Sequence, residues 1–140
     1  MPFSDLTICS KSKLDKDFKS FGASHVLSIL DPYESVRKPF RLKPQNHKKI
    51  HFDDVFDASA EFAPEKRHLI EIRNWLRNLP KSSRLVIHCT AGVSRSTAVA
   101  YMALLDEIDS KSALERVFSI QPEAKPNKLI MEIIAQGLDE

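Results

Sequence analysis

The chain has few cysteines, few glycines and no long apolar segment. Only two of its 140 residues are cysteines, Cys9 and Cys89, which excludes a framework of several disulfides. No apolar run approaches the roughly 18 residues that suggest a membrane-spanning helix. The first residues lack the basic stretch and apolar core that mark a secretory signal. We therefore expect a cytoplasmic protein with reduced thiols and no membrane span.

Neither sign of charge dominates the composition. Lys and Arg number 21 and Asp and Glu 19, so the formal net charge of +2 is too small to predict nucleic-acid binding by itself. The histidines at positions 25, 47, 51 and 68 lack the spacing of metal ligands, and we expect neither a metal nor a cofactor. The length and the 42% apolar content predict one domain over residues 1–140.

Strand and helix patterns alternate along the chain. Apolar runs predict strands at 6–9, 25–30, 49–52 and 84–88. Helical patterns cover 14–21, a segment after Pro64, 97–105, a segment opened by a capping box at 112–115, and a last helix from the Asn127 cap to Gly137. This alternation predicts a single α/β domain with a largely parallel sheet of about four to five strands flanked by helices.

The run His-Cys-Thr-Ala-Gly-Val-Ser-Arg-Ser at residues 88–96 is the most informative part of the sequence. It follows a predicted strand and precedes an apolar helix, at the edge of a parallel sheet where ligands bind. Loop amides and a helix N-terminus that point to one spot favour an anion. We therefore predict a phosphate site built by the backbone of Thr90, Ala91, Gly92, Val93, Ser94 and Arg95. Gly92 is expected where the backbone approaches the anion closely.

The side chains of this run predict nucleophilic chemistry. A helix N-terminus and a neighbouring cation stabilise the thiolate form of cysteine, so Cys89 is a candidate nucleophile toward phosphorus. Arg95 offers a planar fork of donors for two phosphate oxygens. The Ser96 hydroxyl is expected to face Cys89 and to assist departure of the thiolate. His88 is expected to orient the loop, and Cys9 to be an apolar core residue.

The pattern His-Cys-x5-Arg-Ser resembles the protein tyrosine phosphatase superfamily, and the short chain resembles its compact dual-specificity branch. Pro122, Pro126 and Asn127 resemble the Arg-Pro…Pro-Asn segment of that branch, with Gln121 in place of the arginine. The resemblance implies hydrolysis of phosphotyrosine through a thiophosphate intermediate, and of phosphoserine or phosphothreonine if the cleft is shallow. Alternatives are a phosphoinositide, nucleotide or RNA-end phosphatase, a non-catalytic module that binds phosphorylated partners, and sulfur transfer or arsenate reduction.

The leaving oxygen of such a reaction needs a proton, and three aspartates are candidate donors. Asp53, Asp54 and Asp57 all follow the strand predicted at 49–52. Relatives in the compact branch place the acid in a pattern like Ile-x-x-x-Asp, which Ile50 and Asp54 match. We favour Asp54, and Asp57 and Asp53 remain alternatives.

Six basic residues lie between positions 37 and 49, and no acidic residue occurs from Ser35 to Phe52. They are Arg37, Lys38, Arg41, Lys43, Lys48 and Lys49. Two interpretations are open, a solvated loop and a basic rim that attracts anionic substrates. The segment lacks the interleaved aromatic residues of single-strand binders, so we expect a phosphorylated protein or another phosphomonoester as the partner and no stable nucleic-acid complex.

Overall fold

Short apolar runs form the strands of a parallel sheet. The computed structural model describes residues 3–139, and in this range the strands are β1 (Asp5–Ser10), β2 (His25–Leu30), β3 (His47–His51) and β4 (Arg84–Cys89). They are ordered β1-β4-β2-β3, and every neighbouring pair is parallel. The predicted α/β domain with a parallel sheet is confirmed, with four strands in the described range.

Five α-helices connect and cover these strands within residues 3–139. They are α1 (Leu14–Phe21), α2 (Lys66–Arg77), α3 (Arg95–Leu104), α4 (Ser110–Ile120) and α5 (Lys128–Gln136). Gly22 ends α1 in the left-handed conformation, and the Asn127 side chain accepts the Ile130 amide to begin α5, both as predicted. None of the helices in the described range has the length and apolarity needed to cross a membrane.

Several predicted element boundaries are wrong, including that of α3, which begins at Arg95 rather than at residue 97. Helix α4 begins at Ser110 because Asp109 is its cap: the Asp109 carboxylate accepts the amide and the hydroxyl of Ser112, so no capping box forms from Ser112 to Glu115. The third strand covers His47–His51 rather than 49–52, because backbone pairing with β2 already begins at His47.

The two faces of the sheet are covered by different elements. Leu85, Ile87 and Cys89 of β4 belong to the large core that α2–α5 build, whereas Val86 belongs to a smaller core with α1. Cys9 lies in the smaller core, and burial raises the pKa of its thiol to about 12. The two cysteines therefore face opposite sides of the sheet, which argues against Cys9 as a redox partner of Cys89.

Candidate active site

Residues 89–95 form a loop, here called the anion loop, between the carboxyl end of β4 and the start of α3. Its carbonyl groups point outward and are tied to neighbouring segments. Backbone amides donate from Lys11 to Thr90 O (3.1 Å), from Lys125 to Val93 O (2.8 Å) and from Asn127 to Ser94 O (3.1 Å). The Gln121 side chain donates to Gly92 O (3.2 Å). Because a peptide N–H points opposite to its carbonyl, these contacts turn the loop amides inward.

The inward amides are free to bind a ligand. Among residues 3–139, no protein acceptor takes a hydrogen bond from the backbone N–H groups of Thr90 to Arg95. Several donors that converge at a helix N-terminus form a site for a phosphate-like anion. This is the arrangement that we expected for these loop residues from the sequence.

Gly92 adopts a backbone conformation that other residues rarely take, with φ at +76°. A Cβ atom there would lie 2.6 Å from Cys9 C and 2.6 Å from Ser10 N, both backbone atoms at the end of β1. The close approach that requires glycine is therefore to the protein backbone, rather than to the anion as we expected from the sequence. Contact with β1 holds this side of the anion loop in place.

We expect Gly92→Ala to distort the anion loop and weaken anion binding. The left-handed conformation costs about 1–2 kcal/mol, and the clash with β1 adds to it. The matched control is Gly22→Ala, which has a similar φ of +70° but open space around the Cβ position. Urea unfolding and tungstate titration measure the two effects. Gly22→Ala is expected to lower the free energy of unfolding but to leave tungstate affinity unchanged. Equal tungstate affinity in the two variants would contradict this account.

Cys89 and Ser96 lie side by side under the loop. The Cys89 Sγ and Ser96 Oγ atoms are 3.1 Å apart, and both side chains are buried. At this distance the hydroxyl can donate to a sulfur anion, which is the contact predicted for Ser96. Ser96 is in the first turn of α3, so its position depends on where the helix begins.

A chain of three polar side chains, two of them buried and the third half-buried, supports the strand end before Cys89. His88 Nδ1 donates to the Cys89 carbonyl (3.2 Å), His88 Nε2 and Ser28 Oγ are 2.6 Å apart, and Ser28 Oγ and His47 Nε2 are 2.7 Å apart. Burial lowers the pKa of His88 and lowers the pKa of His47 to about 4, so both rings are neutral at pH 7. The Ser28 hydroxyl therefore donates to His88 and accepts from His47, which fixes the orientation of His88.

Arg95 is almost fully buried, at 3% exposure, and protein groups contact both terminal nitrogens of its guanidinium. Its Nη1 donates to the Phe52 carbonyl and forms an ion pair with Asp31, both at 2.8 Å. Its Nη2 donates to Thr90 Oγ1 at 3.0 Å. Nε is buried and has no partner among residues 3–139. Since a buried donor without an acceptor is costly, this atom marks a position for a ligand oxygen.

Of the three candidate acids, the structure brings Asp54 to the anion loop. Its Oδ1 accepts from Ser94 Oγ (2.7 Å) and Asn127 Nδ2 (2.8 Å). No donor in the described range contacts Oδ2, so that oxygen can contact a ligand. Asp57 instead accepts the amide and hydroxyl of Ser59, which lower its pKa and favour the carboxylate.

The remaining alternative, Asp53, is engaged locally. Its Oδ1 accepts the amide of Asp54 at 2.9 Å, while its own amide donates to the Phe62 carbonyl. It therefore shapes the turn that presents Asp54. Of the three aspartates, Asp54 is therefore the one whose carboxylate contacts the anion loop among residues 3–139.

Two residues near the site were missed in the sequence. Asn127 was interpreted as a helix cap and as part of the Pro-Asn segment, yet its Nδ2 also contacts Asp54 and its amide contacts the anion loop. Asp31, which pairs with Arg95, was not singled out in the sequence. Its place at the carboxyl end of β2, beside β4, is the signal that could have indicated it.

No protein-family model matches the chain. Among solved structures, the Cydia pomonella PTP-2 phosphatase has a TM-score of 0.73 at 23% identity, over 94% of this chain and 84% of that one. The chain has the fold of the tyrosine phosphatases. The fold that the His-Cys-x5-Arg-Ser resemblance implied is thereby confirmed.

Two curated relatives are phosphatases by name. Mouse dual specificity protein phosphatase 13B is 31% identical over 103 residues, which are 69% of this chain and 50% of that protein. The Dictyostelium discoideum MAP kinase phosphatase with leucine-rich repeats protein 3 is 27% identical over 111 residues, 78% of this chain and 12% of that protein. The chain thus spans at most half the length of these two relatives.

Proposed function

We propose that this protein is a cysteine-dependent phosphatase that hydrolyses phosphomonoesters. The observation that carries the proposal is a loop of inward amides that runs from the buried Cys89 to Arg95, whose buried Nε has no partner among residues 3–139. Such donors stabilise the charge that develops on the phosphoryl oxygens during transfer. The names of the relatives support the same activity.

The side chains suggest a reaction in two steps. The Cys89 thiolate attacks phosphorus, the phosphorus–oxygen bond breaks, and Asp54 gives its proton to the leaving oxygen. The amides of the anion loop and Arg95 hold the phosphoryl group. Water then attacks the thiophosphate while Asp54 takes up its proton. Ser96 stabilises the departing Cys89 thiolate, and the second step releases inorganic phosphate.

We expect Asp54→Asn to slow the hydrolysis of poor leaving groups most. The substitution keeps an oxygen that can accept from Ser94 and Asn127 but removes the proton donor. The loss for phenyl phosphate should reach about 10²–10⁴-fold, the usual contribution of general acid catalysis, and should be smaller for p-nitrophenyl phosphate. Asp57→Asn is the matched control and should retain activity. Equal losses for both substrates would refute the acid role of Asp54.

Two exposed aromatic residues favour aryl phosphates, and we propose phosphotyrosine in proteins as the main substrate. Tyr33 is 90% exposed and meets Phe62 edge to face at 5.5 Å between ring centroids. Tyr33 follows Asp31, the partner of Arg95, and Phe62 contacts the backbone of Asp53. The pair therefore bridges the two loops that flank the site, where it can contact the ring of a substrate. We also propose the cytoplasm as its compartment, because the nucleophilic thiol must stay reduced.

Release of inorganic phosphate from p-nitrophenyl phosphate by the purified protein tests this function. A panel of phosphotyrosine, phosphoserine and phosphothreonine peptides, phosphoinositides and nucleotides then tests the substrate class. The proposal predicts turnover, with phosphotyrosine peptides hydrolysed fastest. Binding of phosphopeptides without any turnover would instead support the non-catalytic module.

A further inference from the structure

A groove of about 990 Å³ lies between α1 and the connection from β2 to β3, here called the α1 groove. Its lining includes Asp15, Phe18 and Lys19 of α1 and Arg37, Phe40 and Arg41 of the connection. Because α1 covers the smaller core, this groove lies on the opposite face of the sheet from α2–α5. We propose that the α1 groove binds an extended, acidic segment of a partner protein that carries one apolar side chain.

The charge of the α1 groove selects an acidic occupant. Lys19, Arg37 and Arg41 are exposed, and none of them forms an ion pair with the acidic groups of residues 3–139. Asp15 is the one carboxylate among the lining residues. Positive side chains on both walls of the groove therefore outnumber its single carboxylate, which favours association with a negative partner.

The wall formed by the β2–β3 connection is held in shape before any partner binds. The Lys38 ammonium donates to the carbonyl groups of Pro39 and Leu42, and the Leu42 amide donates to the Pro39 carbonyl at 3.1 Å. Leu42 is buried in the smaller core. Lys38 thus stabilises the fold, and a preordered wall lowers the entropy cost of binding at Arg37 and Arg41.

Apolar side chains provide a place for one apolar residue of the partner. Phe40 is 92% exposed, although its neighbour Leu42 is buried. Phe18 and Ala23 pack on the smaller core and form an apolar floor. Burial of Phe40 by a ligand would remove one of the largest exposed apolar surfaces of the chain. A concave site of this size, with a carboxylate in its lining, suits a chain segment better than a flat anionic membrane.

Fluorescence anisotropy with a labelled peptide of glutamates around one central leucine tests this proposal. We expect Arg37→Glu/Arg41→Glu to weaken binding at least about tenfold, and Phe40→Ala to weaken it about three- to tenfold. The matched control is Lys81→Glu/Lys111→Glu, which makes the same change in net charge at exposed positions outside the groove. Turnover of p-nitrophenyl phosphate should be unchanged in all three variants, so this test is independent of the proposed phosphatase activity.

Three results would overturn the proposal. An equal loss in the control variant would mean that net charge alone drives binding. Equal affinity for a peptide with glutamate in place of the leucine would mean that the α1 groove does not recognise an apolar side chain. Cosedimentation with phosphatidylserine vesicles, without binding of the peptide, would assign the basic surface to a membrane instead.

Discussion

Cys89→Ser should reduce the turnover of p-nitrophenyl phosphate by about 10⁴-fold or more, as expected when the nucleophile of a covalent mechanism is removed. A serine hydroxyl is a much weaker nucleophile than a thiolate in the same place. The anion loop is built from the backbone and Arg95, so the variant should still bind tungstate with affinity close to that of the unsubstituted protein.

Cys9→Ser provides the matched control for this result. Cys9 is also buried but lies in the smaller core on the other face of the sheet. We expect this variant to lose stability, because a hydroxyl is buried in apolar surroundings, while the turnover number remains unchanged. Substantial activity in Cys89→Ser, or a comparable loss of turnover number in a folded Cys9→Ser protein, would contradict the nucleophilic role of Cys89.

Arg95→Lys should lower kcat/KM by about 10³-fold, in the range found when a donor to the transition state is removed. Lysine keeps the positive charge but lacks the planar fork, and it has no donor at the position of Nε. Its ammonium can still pair with Asp31, so the substitution preserves a partner for that carboxylate.

The control for this variant is Arg116→Lys, at an exposed ion pair with Asp5. Exposed pairs of this kind contribute about 0–1 kcal/mol, so activity and stability should change little. Tungstate affinity, thermal unfolding and kcat/KM together separate loss of phosphate binding from loss of folding. If Arg95→Lys keeps nearly full kcat/KM, the bidentate contact is not part of the mechanism.

Much of the fold could be predicted because local signals and tertiary structure agree. The apolar run of β2 and the Gly22 end of α1 coincide with the structure to the residue. The start of β3 could not be predicted in this way, because pairing with β2 decides it and His47 carries no strand signal of its own. The start of α4 was missed because the weaker serine signal was preferred to Asp109.

The site could be predicted where its residues are adjacent in sequence, and less well where they are not. The anion loop is contiguous, so its cysteine, arginine and serine could be named from spacing. The contacts of Arg95 with Asp31 and Phe52, and of Asn127 with Asp54, join residues far apart in the chain. Such contacts depend on the order of strands in the sheet, which the sequence alone does not reveal.

The surfaces formed by the basic segment at residues 37–49 also could not be predicted from the sequence. Its charge was evident from the sequence, but its position was not: Arg37 and Arg41 line a groove with α1. Lys48 forms an ion pair with Glu71 of α2, on the other side of the sheet edge. Residues of one charged run in the sequence therefore lie on two separate surfaces.

The central claim is that phosphate passes through a covalent bond to Cys89. The Asp54→Asn variant, which should slow the hydrolysis of that bond, is mixed with p-nitrophenyl phosphate and quenched in acid. Peptide mapping by mass spectrometry is expected to find one phosphoryl group on the peptide that contains Cys89, and none in Asp54→Asn/Cys89→Ser. Turnover by this enzyme with no phosphorylated cysteine, or with the phosphoryl group on another residue, would contradict the account.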